Sequence, residues 1–130
     1  MRRLGAWAPA LLYMAGIFVA SAQPTVRLPR VDHSDKMLHF AAYAGLGATL
    51  AYAGARSALG PLPLIAIGTL YGASDEIHQS FVPGRTPDIM DWVADTLGAI
   101  VGVLAIHRYF SRRHARAAHS AVPGADPLRR

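Results

Sequence analysis

The sequence contains no cysteine and has few charged residues. The absence of cysteine excludes a disulfide framework, a thiolate metal site and a cysteine nucleophile. Charged residues make up 16% of the chain, whereas a soluble domain carries about a quarter. Hydrophobic residues reach 52% and fall in long blocks. Because a helix needs roughly 20 residues to cross the hydrocarbon core of a bilayer, blocks of this size favour a membrane protein.

Four apolar blocks divide the chain into candidate transmembrane helices. None of them shows the sustained period-two alternation of a strand, so we predict an all-α membrane protein. The expected fold is a compact bundle of about four transmembrane helices in residues 1–110, followed by a basic, disordered cytoplasmic tail at 111–130. The predicted spans run over residues 4–22, 37–55, 59–81 and 88–106.

The first block also fits a cleavable signal peptide. Two arginines precede it, and Ala20-Ser21-Ala22 would place the cut before Gln23. We prefer an uncleaved anchor, because the apolar stretch is long for a signal peptide and more hydrophobic segments follow. Residues 23–35 contain two prolines, two arginines and two aspartates, so they are predicted to form an interfacial loop.

Proline, glycine and aspartate mark the boundaries of the later blocks. Pro61 and Pro63 lie in the first turn expected for the third helix, where missing amide donors cost little. Residues 82–87 contain two prolines and a glycine, which predicts a turn that ends the helix. Asp88 is then a candidate cap for the fourth helix.

Basic residues flank the apolar blocks, and their distribution predicts the orientation. With four crossings, nine of the thirteen lysines and arginines lie on the side of both termini and four lie on the other. Without Arg129 and Arg130 at the end of the tail, seven basic residues lie on the side of the termini and four on the other side. This bias favours a multi-pass membrane protein with both termini in the cytoplasm. The expected partners are therefore membrane lipids, not nucleic acid.

Polar residues and glycines recur at helical spacing on the last three blocks. The offsets place each set along one helix face, with its polar end at the same side of the membrane. Carboxylates facing lipid are costly, so we expect them to turn into the bundle. The glycines are interpreted mainly as packing devices, and a homo-oligomer through these faces is also considered. The sets are Lys36, His39, Tyr43 and Gly47; Gly68, Gly72, Asp75 or Glu76, and Gln79; and Asp91, Asp95, Gly98 and Gly102.

The polar ends are predicted to form a functional cluster, although interfacial solvation explains part of their polarity. A carboxylate beside a histidine suits proton transfer, and a guanidinium binds a carboxylate or a phosphate in bidentate fashion. The candidate catalytic residues are Asp75, Glu76, His78 and Asp91, and the candidate ligand-binding residues are Lys36, His39, Tyr43, Gln79, Arg85 and Asp95.

Standard catalytic templates do not fit this cluster. Residues 75–79 lack the two histidines at i and i+4 of zinc proteases, and the chain has no Gly-x-Ser-x-Gly elbow. The sequence requires no cofactor. A metal held by His39, His78 and a carboxylate stays open, and so does the question of whether a reaction is catalysed.

Several motifs in order carry a resemblance to a known family. They are Asp35-Lys36-x-x-His39-Phe40-x-x-Tyr43, Tyr71-Gly72-x-x-Asp75-Glu76-x-His78-Gln79, Pro83-Gly84-Arg85-Thr86-Pro87-Asp88-x-x-Asp91 and Ala94-Asp95-Thr96-Leu97-Gly98. In these motifs the chain resembles the VanZ-like family of bacterial integral membrane proteins, over roughly residues 5–106. The stretch Ser21-x-Gln23-Pro24 also resembles the family, which favours a retained first helix.

The resemblance implies a location in the bacterial cytoplasmic (inner) membrane. It also implies an envelope role, because the family's name derives from a protein associated with resistance to teicoplanin. From the resemblance we infer the fold and the positions of the motif residues in this chain, but we infer no reaction. One departure is Asp95, where many relatives carry Asn. A carboxylate four residues from Asp91 repels it unless one of the two is protonated or paired.

Three functions are weighed from these observations. The leading hypothesis is an envelope protein that binds or modifies a lipid or glycan group at the extracytoplasmic face. There Lys36 and Arg85 would hold an anion while Glu76, His78 and Asp91 orient or activate it. The alternative is a structural scaffold or partner subunit in which the cluster only locks the bundle. A small transporter is disfavoured, because the polar groups do not continue across the membrane.

Overall fold

The structure is a computed structural model, and it describes residues 5–24 and 34–120. Within these ranges the chain forms four α-helices and no strand, so the all-α prediction is confirmed. Most of the predicted interfacial loop and the last ten residues lie outside the described part. The helices are α1 (Ala8–Ser21), α2 (Ser34–Ser57), α3 (Pro61–Gln79) and α4 (Ile89–Ser120).

Local chemistry sets the helix ends much as the sequence predicts. Pro61 occupies the first position of α3, after an extended Gly60. Asp88 caps α4, because its Oδ1 accepts a hydrogen bond of 2.9 Å from the Met90 amide. In the preceding turn Gly84 adopts a φ of 82°, which glycine reaches without steric cost.

Glycines bring α2 and α4 into close contact along much of their length. A Cβ atom on Gly98 or Gly102 would collide with backbone carbonyl oxygens of α2, and one on Gly47 would collide with the Ala99 carbonyl of α4. These positions are therefore packing devices within one chain, as interpreted from their spacing. An oligomer through the same faces stays a prediction.

The core lies between the helices and is aliphatic, whereas the outer surface is also largely apolar. Leu46 and Leu50 of α2 are buried against Leu64 of α3 and Val103 of α4, and Ala10 of α1 joins this cluster. Large apolar side chains also point outward, which is unusual for a soluble monomer when they are contiguous. Among the most exposed are Leu12, Leu62, Leu70 and Phe81.

One described helix, α4, is long and apolar enough to cross a membrane by length and composition. α1 is apolar but shorter, with 14 residues. α2 and α3 do not meet the same criterion within the described part of the chain.

α4 continues well beyond the predicted span and its boundary at residue 110. The helix reaches Ser120, so residues 111–120 are helical rather than part of a disordered tail. Alanine and arginine are strong helix formers, and hydropathy falls here while helix propensity does not. The Arg113 guanidinium also lies 5.7 Å from the Tyr109 ring centroid, one turn earlier.

Candidate functional site

The polar end of the bundle is where α1 and α3 end and where α2 and α4 begin. Hydrogen bonds join these helix ends directly, from α1 to α3 and from α2 to α4. The fold thus gathers acidic side chains that are far apart in the sequence. The six acidic residues of the described chain all lie here: Asp35, Asp75, Glu76, Asp88, Asp91 and Asp95.

The first group at the polar end is centred on Lys36, at the start of α2. Its Nζ donates to Asp88 Oδ2 at 2.8 Å and to Asp91 Oδ1 at 3.1 Å. Hydrogen bonds to Asp88 and then Asp91 raise the pKa of Lys36, which precedes the predicted span. Because two carboxylates already share this ammonium, Lys36 is poorly placed to hold an external anion as well.

The second group joins all three of the later helices. His39 Nδ1 of α2 lies 3.0 Å from Asp95 Oδ1 of α4, and His39 Nε2 lies 3.9 Å from Asp91 Oδ2. Glu76 of α3 accepts the Asp88 amide on Oε2 at 2.9 Å. Asp95 is 0% exposed, and its Oδ2, like Glu76 Oε1, has no hydrogen-bond partner among the described residues.

The third group ties α1 to α3. Asp75 is buried, and its carboxylate accepts hydrogen bonds from the Ser21 hydroxyl and, at 3.0 Å, from Gln79 Nε2. Arg85 lies beside this pair in the turn before α4. Its guanidinium makes long contacts of 3.5 Å with Gln79 Oε1 and with two backbone carbonyls near the end of α1.

Two predicted site residues lie apart from these groups. Tyr43 is deeper in the bundle, 1% exposed, with its hydroxyl unpartnered in the described structure. His78 stacks on Phe18 of α1, with ring centroids 4.2 Å apart. Two positions along a helix turn the side chain by about 200°, so His78 faces away from Glu76. The metal pair of His39 and His78 considered from the sequence is therefore not formed.

Three contributors to the polar end were missed as site residues in the sequence. Ser21 binds Asp75, Phe18 covers His78, and the Trp92 indole of α4 donates to the Thr69 carbonyl of α3 at 3.0 Å. Ser21 is the one serine of an otherwise apolar block and part of the stretch that resembles the family. That isolated hydroxyl was the available signal, whereas nothing local distinguishes Phe18.

A family model described as VanZ/LLP1 matches residues 6–110, which include every residue of the three groups. The chain belongs to the VanZ/LLP1 family. The resemblance inferred from the sequence motifs is thereby confirmed. No curated protein and no solved structure matches the chain.

In this VanZ/LLP1 protein the three groups differ in their access to a ligand. The side chains of Lys36 and Asp88 are 39% and 43% exposed, and Arg85 is partly exposed. Asp75 and Asp95 are enclosed by protein. A ligand that approaches the polar end would therefore contact Lys36, Asp88 and Arg85. The buried carboxylates of Asp75 and Asp95 would not contact it directly.

Proposed function

We propose that this protein is a multi-pass membrane protein of the bacterial cell envelope, and that its polar end binds an envelope lipid or glycan group at the extracytoplasmic face. The observation that carries the proposal is the position of Arg85 at the rim of the acidic cluster. Within the described chain its guanidinium contacts neutral oxygens only, at 3.5 Å. Its charge is thus available for a phosphate or carboxylate oxygen.

Membrane insertion is supported by the distribution of polarity over the whole bundle. Charged side chains collect at the polar end and, at the opposite end, at Arg56 and on the far part of α4. The outer surface between them carries exposed leucines such as Leu12, Leu62 and Leu70. Retention of α1 is supported by its contacts, since Tyr71 donates to the Met14 carbonyl at 2.6 Å. Four crossings would bury these outward leucines in lipid.

The groups around Arg85 suit a ligand that combines an anionic oxygen with hydroxyl groups. Exposed Asp88 can accept hydrogen bonds from hydroxyls of a glycan or a glycerol headgroup. A simple phosphate anion would meet repulsion from the neighbouring carboxylates. We therefore favour phospholipid headgroups and lipid-linked sugar phosphates as the ligand class, and any teicoplanin phenotype would follow from binding of such a group.

The test is lipid retention by purified protein in detergent, measured by native mass spectrometry with phosphatidylglycerol and a polyprenyl-linked sugar phosphate. Arg85→Gln should weaken binding roughly 10- to 100-fold, the loss expected for one charge-assisted contact. Arg112→Gln, at the other end of the molecule, is the matched control and should bind as the wild type does. Equal binding by the two variants would rule out the assigned role of Arg85.

A structural scaffold is the second candidate, because most polar groups of the cluster already have protein partners. Asp75, Asp91 and Asp95 are buried and engaged by Ser21 and Gln79, by Lys36 and by His39. In that case Arg85→Lys should lower the melting temperature in detergent. Unchanged melting combined with lost lipid binding would instead favour the ligand-binding function.

A further inference from the structure

The second group of the polar end has more negative charge than its neighbours compensate. Asp88 and Asp91 share the ammonium of Lys36, and Asp75 is held by two neutral donors. Glu76 and Asp95 are left with a single imidazole between them. Two carboxylates in a poorly solvated site require protons or a cation to offset their charge.

The unpaired oxygen of Asp95 faces α3, on the side of that helix that carries Glu76. Asp95 Oδ2 lies towards Gly72, 3.4 Å from where a Cβ on that glycine would be. Glu76 is one turn further along the same face of α3. Asp95 Oδ2 and Glu76 Oε1 are both buried and have no hydrogen-bond partner in the described chain. A fully buried carboxylate with an unsatisfied oxygen directed into the group indicates a position where a ligand can bind.

We propose that His39, Glu76 and Asp95 form a binding site for a divalent transition-metal ion such as Zn²⁺ or Mn²⁺. One ligand atom from each residue lies within 4.8 Å of the others. Ligand atoms at about 2.1 Å from one ion are separated by about 3 to 4 Å. The 3.0 Å between His39 Nδ1 and Asp95 Oδ1 already fits that separation, and a small side-chain movement brings in Glu76.

The types of ligand atom and their total charge both favour a divalent transition-metal ion. One imidazole with two carboxylates suits Zn²⁺, Mn²⁺ or Fe²⁺ better than Ca²⁺, which takes oxygen ligands alone. Neutral His39, ionised Glu76 and ionised Asp95 together neutralise a divalent charge, so the loaded site carries no net charge. Three protein ligands leave a coordination position for water or for a ligand oxygen.

Asp91 supplies the support that metal-bound histidines commonly have. With Nδ1 on the ion, the proton of His39 resides on Nε2, which faces Asp91 Oδ2 at 3.9 Å. A slight rotation of the ring closes this to a hydrogen bond that orients the imidazole. Asp91 is thus a positioning residue, and its own link to Lys36 connects the metal site to the exposed rim.

The experiment measures metal bound per chain by the full-length protein, after removal of the affinity tag, treatment with chelator and dialysis against Zn²⁺ or Mn²⁺. The wild type should bind about one ion more per chain than Glu76→Gln or Asp95→Asn. Affinity in these variants should fall at least about 10-fold, the lower limit for loss of a supporting contact. Asp35→Asn is the matched control, an exposed carboxylate at the same end, and should bind as the wild type.

Two features of the chain determine how the result is interpreted. His114 and His119 on the exposed part of α4 can hold Zn²⁺ weakly, so the decisive quantity is the difference between each variant and Asp35→Asn. Should Asp95→Asn not fold, Glu76→Gln decides, because Glu76 is only partly buried. Equal metal content in Glu76→Gln and Asp35→Asn would overturn the proposal, and a shared proton would then offset the carboxylate charge. Lipid binding through Arg85 is measured separately, so either proposal can fail alone.

Discussion

Asp75 shows how a single buried carboxylate can hold two helices together. Its two oxygens accept from Ser21 of α1 and Gln79 of α3, and the residue is 4% exposed. Asp75→Ala would remove the Gln79 amide's partner in the interior and break the link to Ser21, whose hydroxyl keeps only the Ile17 carbonyl at 2.7 Å. We expect a loss of about 1–3 kcal/mol in the free energy of unfolding, measured by reversible denaturation in mixed micelles.

The matched control for this prediction is the neighbouring Ser74→Ala. Ser74 is exposed and its hydroxyl bonds the Tyr71 carbonyl within the same helix, so the change should cost little. If Asp75→Ala were as stable as Ser74→Ala, the contact between α1 and α3 would contribute nothing measurable. That result would also weaken the argument that α1 is a retained part of the bundle.

At the scale of the helices, glycine governs how closely α2 and α4 approach. Gly102→Ala would force its new Cβ into the Ala44 carbonyl of α2. A backbone atom cannot swing aside, so the helices must separate, and we expect destabilisation of about 1–3 kcal/mol. Thermal unfolding followed by circular dichroism in detergent measures the difference.

The contrasting position is Gly16, in the interior of α1. A Cβ there meets nothing within 4 Å, and alanine is the better helix former by about 1 kcal/mol. Gly16→Ala should therefore leave stability unchanged or raise it. The same loss from both substitutions would mean that the contact with Ala44 does not set the cost of Gly102→Ala.

The number and approximate bounds of the helices were predictable, because apolar blocks and local signals such as Pro61 and Asp88 are read directly from neighbouring residues. The end of α4 was not, since a membrane span is predicted from hydropathy, whereas residues 111–120 are polar and stay helical because of their helix propensity. The end of an apolar segment therefore marks the end of a helix only where helix propensity falls at the same residue.

The proximity of Lys36, His39, Asp91 and Asp95 could be predicted, but their pairing could not, and neither could the separate position of His78 against Phe18. Spacing placed Lys36, His39, Asp91 and Asp95 on facing stripes. Which carboxylate meets which base depends on the rotation and axial offset of α2 against α4, which the glycine contacts with Phe40 and Ala44 determine. Those contacts join residues more than 50 positions apart, and no local pattern records them.

For the whole molecule, orientation in the membrane is the first property to measure. Single cysteines in the cysteine-free chain at Thr86, in the turn at the polar end, and at Gly60, at the opposite end, are both exposed. An impermeant maleimide should label position 86 but not 60 in intact cells, because the basic residues favour cytoplasmic termini.

Both cysteines should react after the cells are permeabilised, which is the control for accessibility. Gly60 is preferred over nearby Ser57, because the Ser57 hydroxyl accepts the Trp7 indole at 3.0 Å. Labelling of position 60 alone in intact cells would place the polar end in the cytoplasm. Envelope glycans would then be excluded as its ligand.

The helices differ greatly in length, and a bilayer would have to adapt to that difference. α1 has 14 residues and α4 has 32, which correspond to about 21 Å and about 48 Å. Against a hydrocarbon thickness of about 30 Å, the lipid beside α1 would have to thin while the lipid beside α4 would not. Such one-sided hydrophobic mismatch would make the molecule most stable in short-chain lipids. In a mixture of lipids, the shorter ones would collect beside α1.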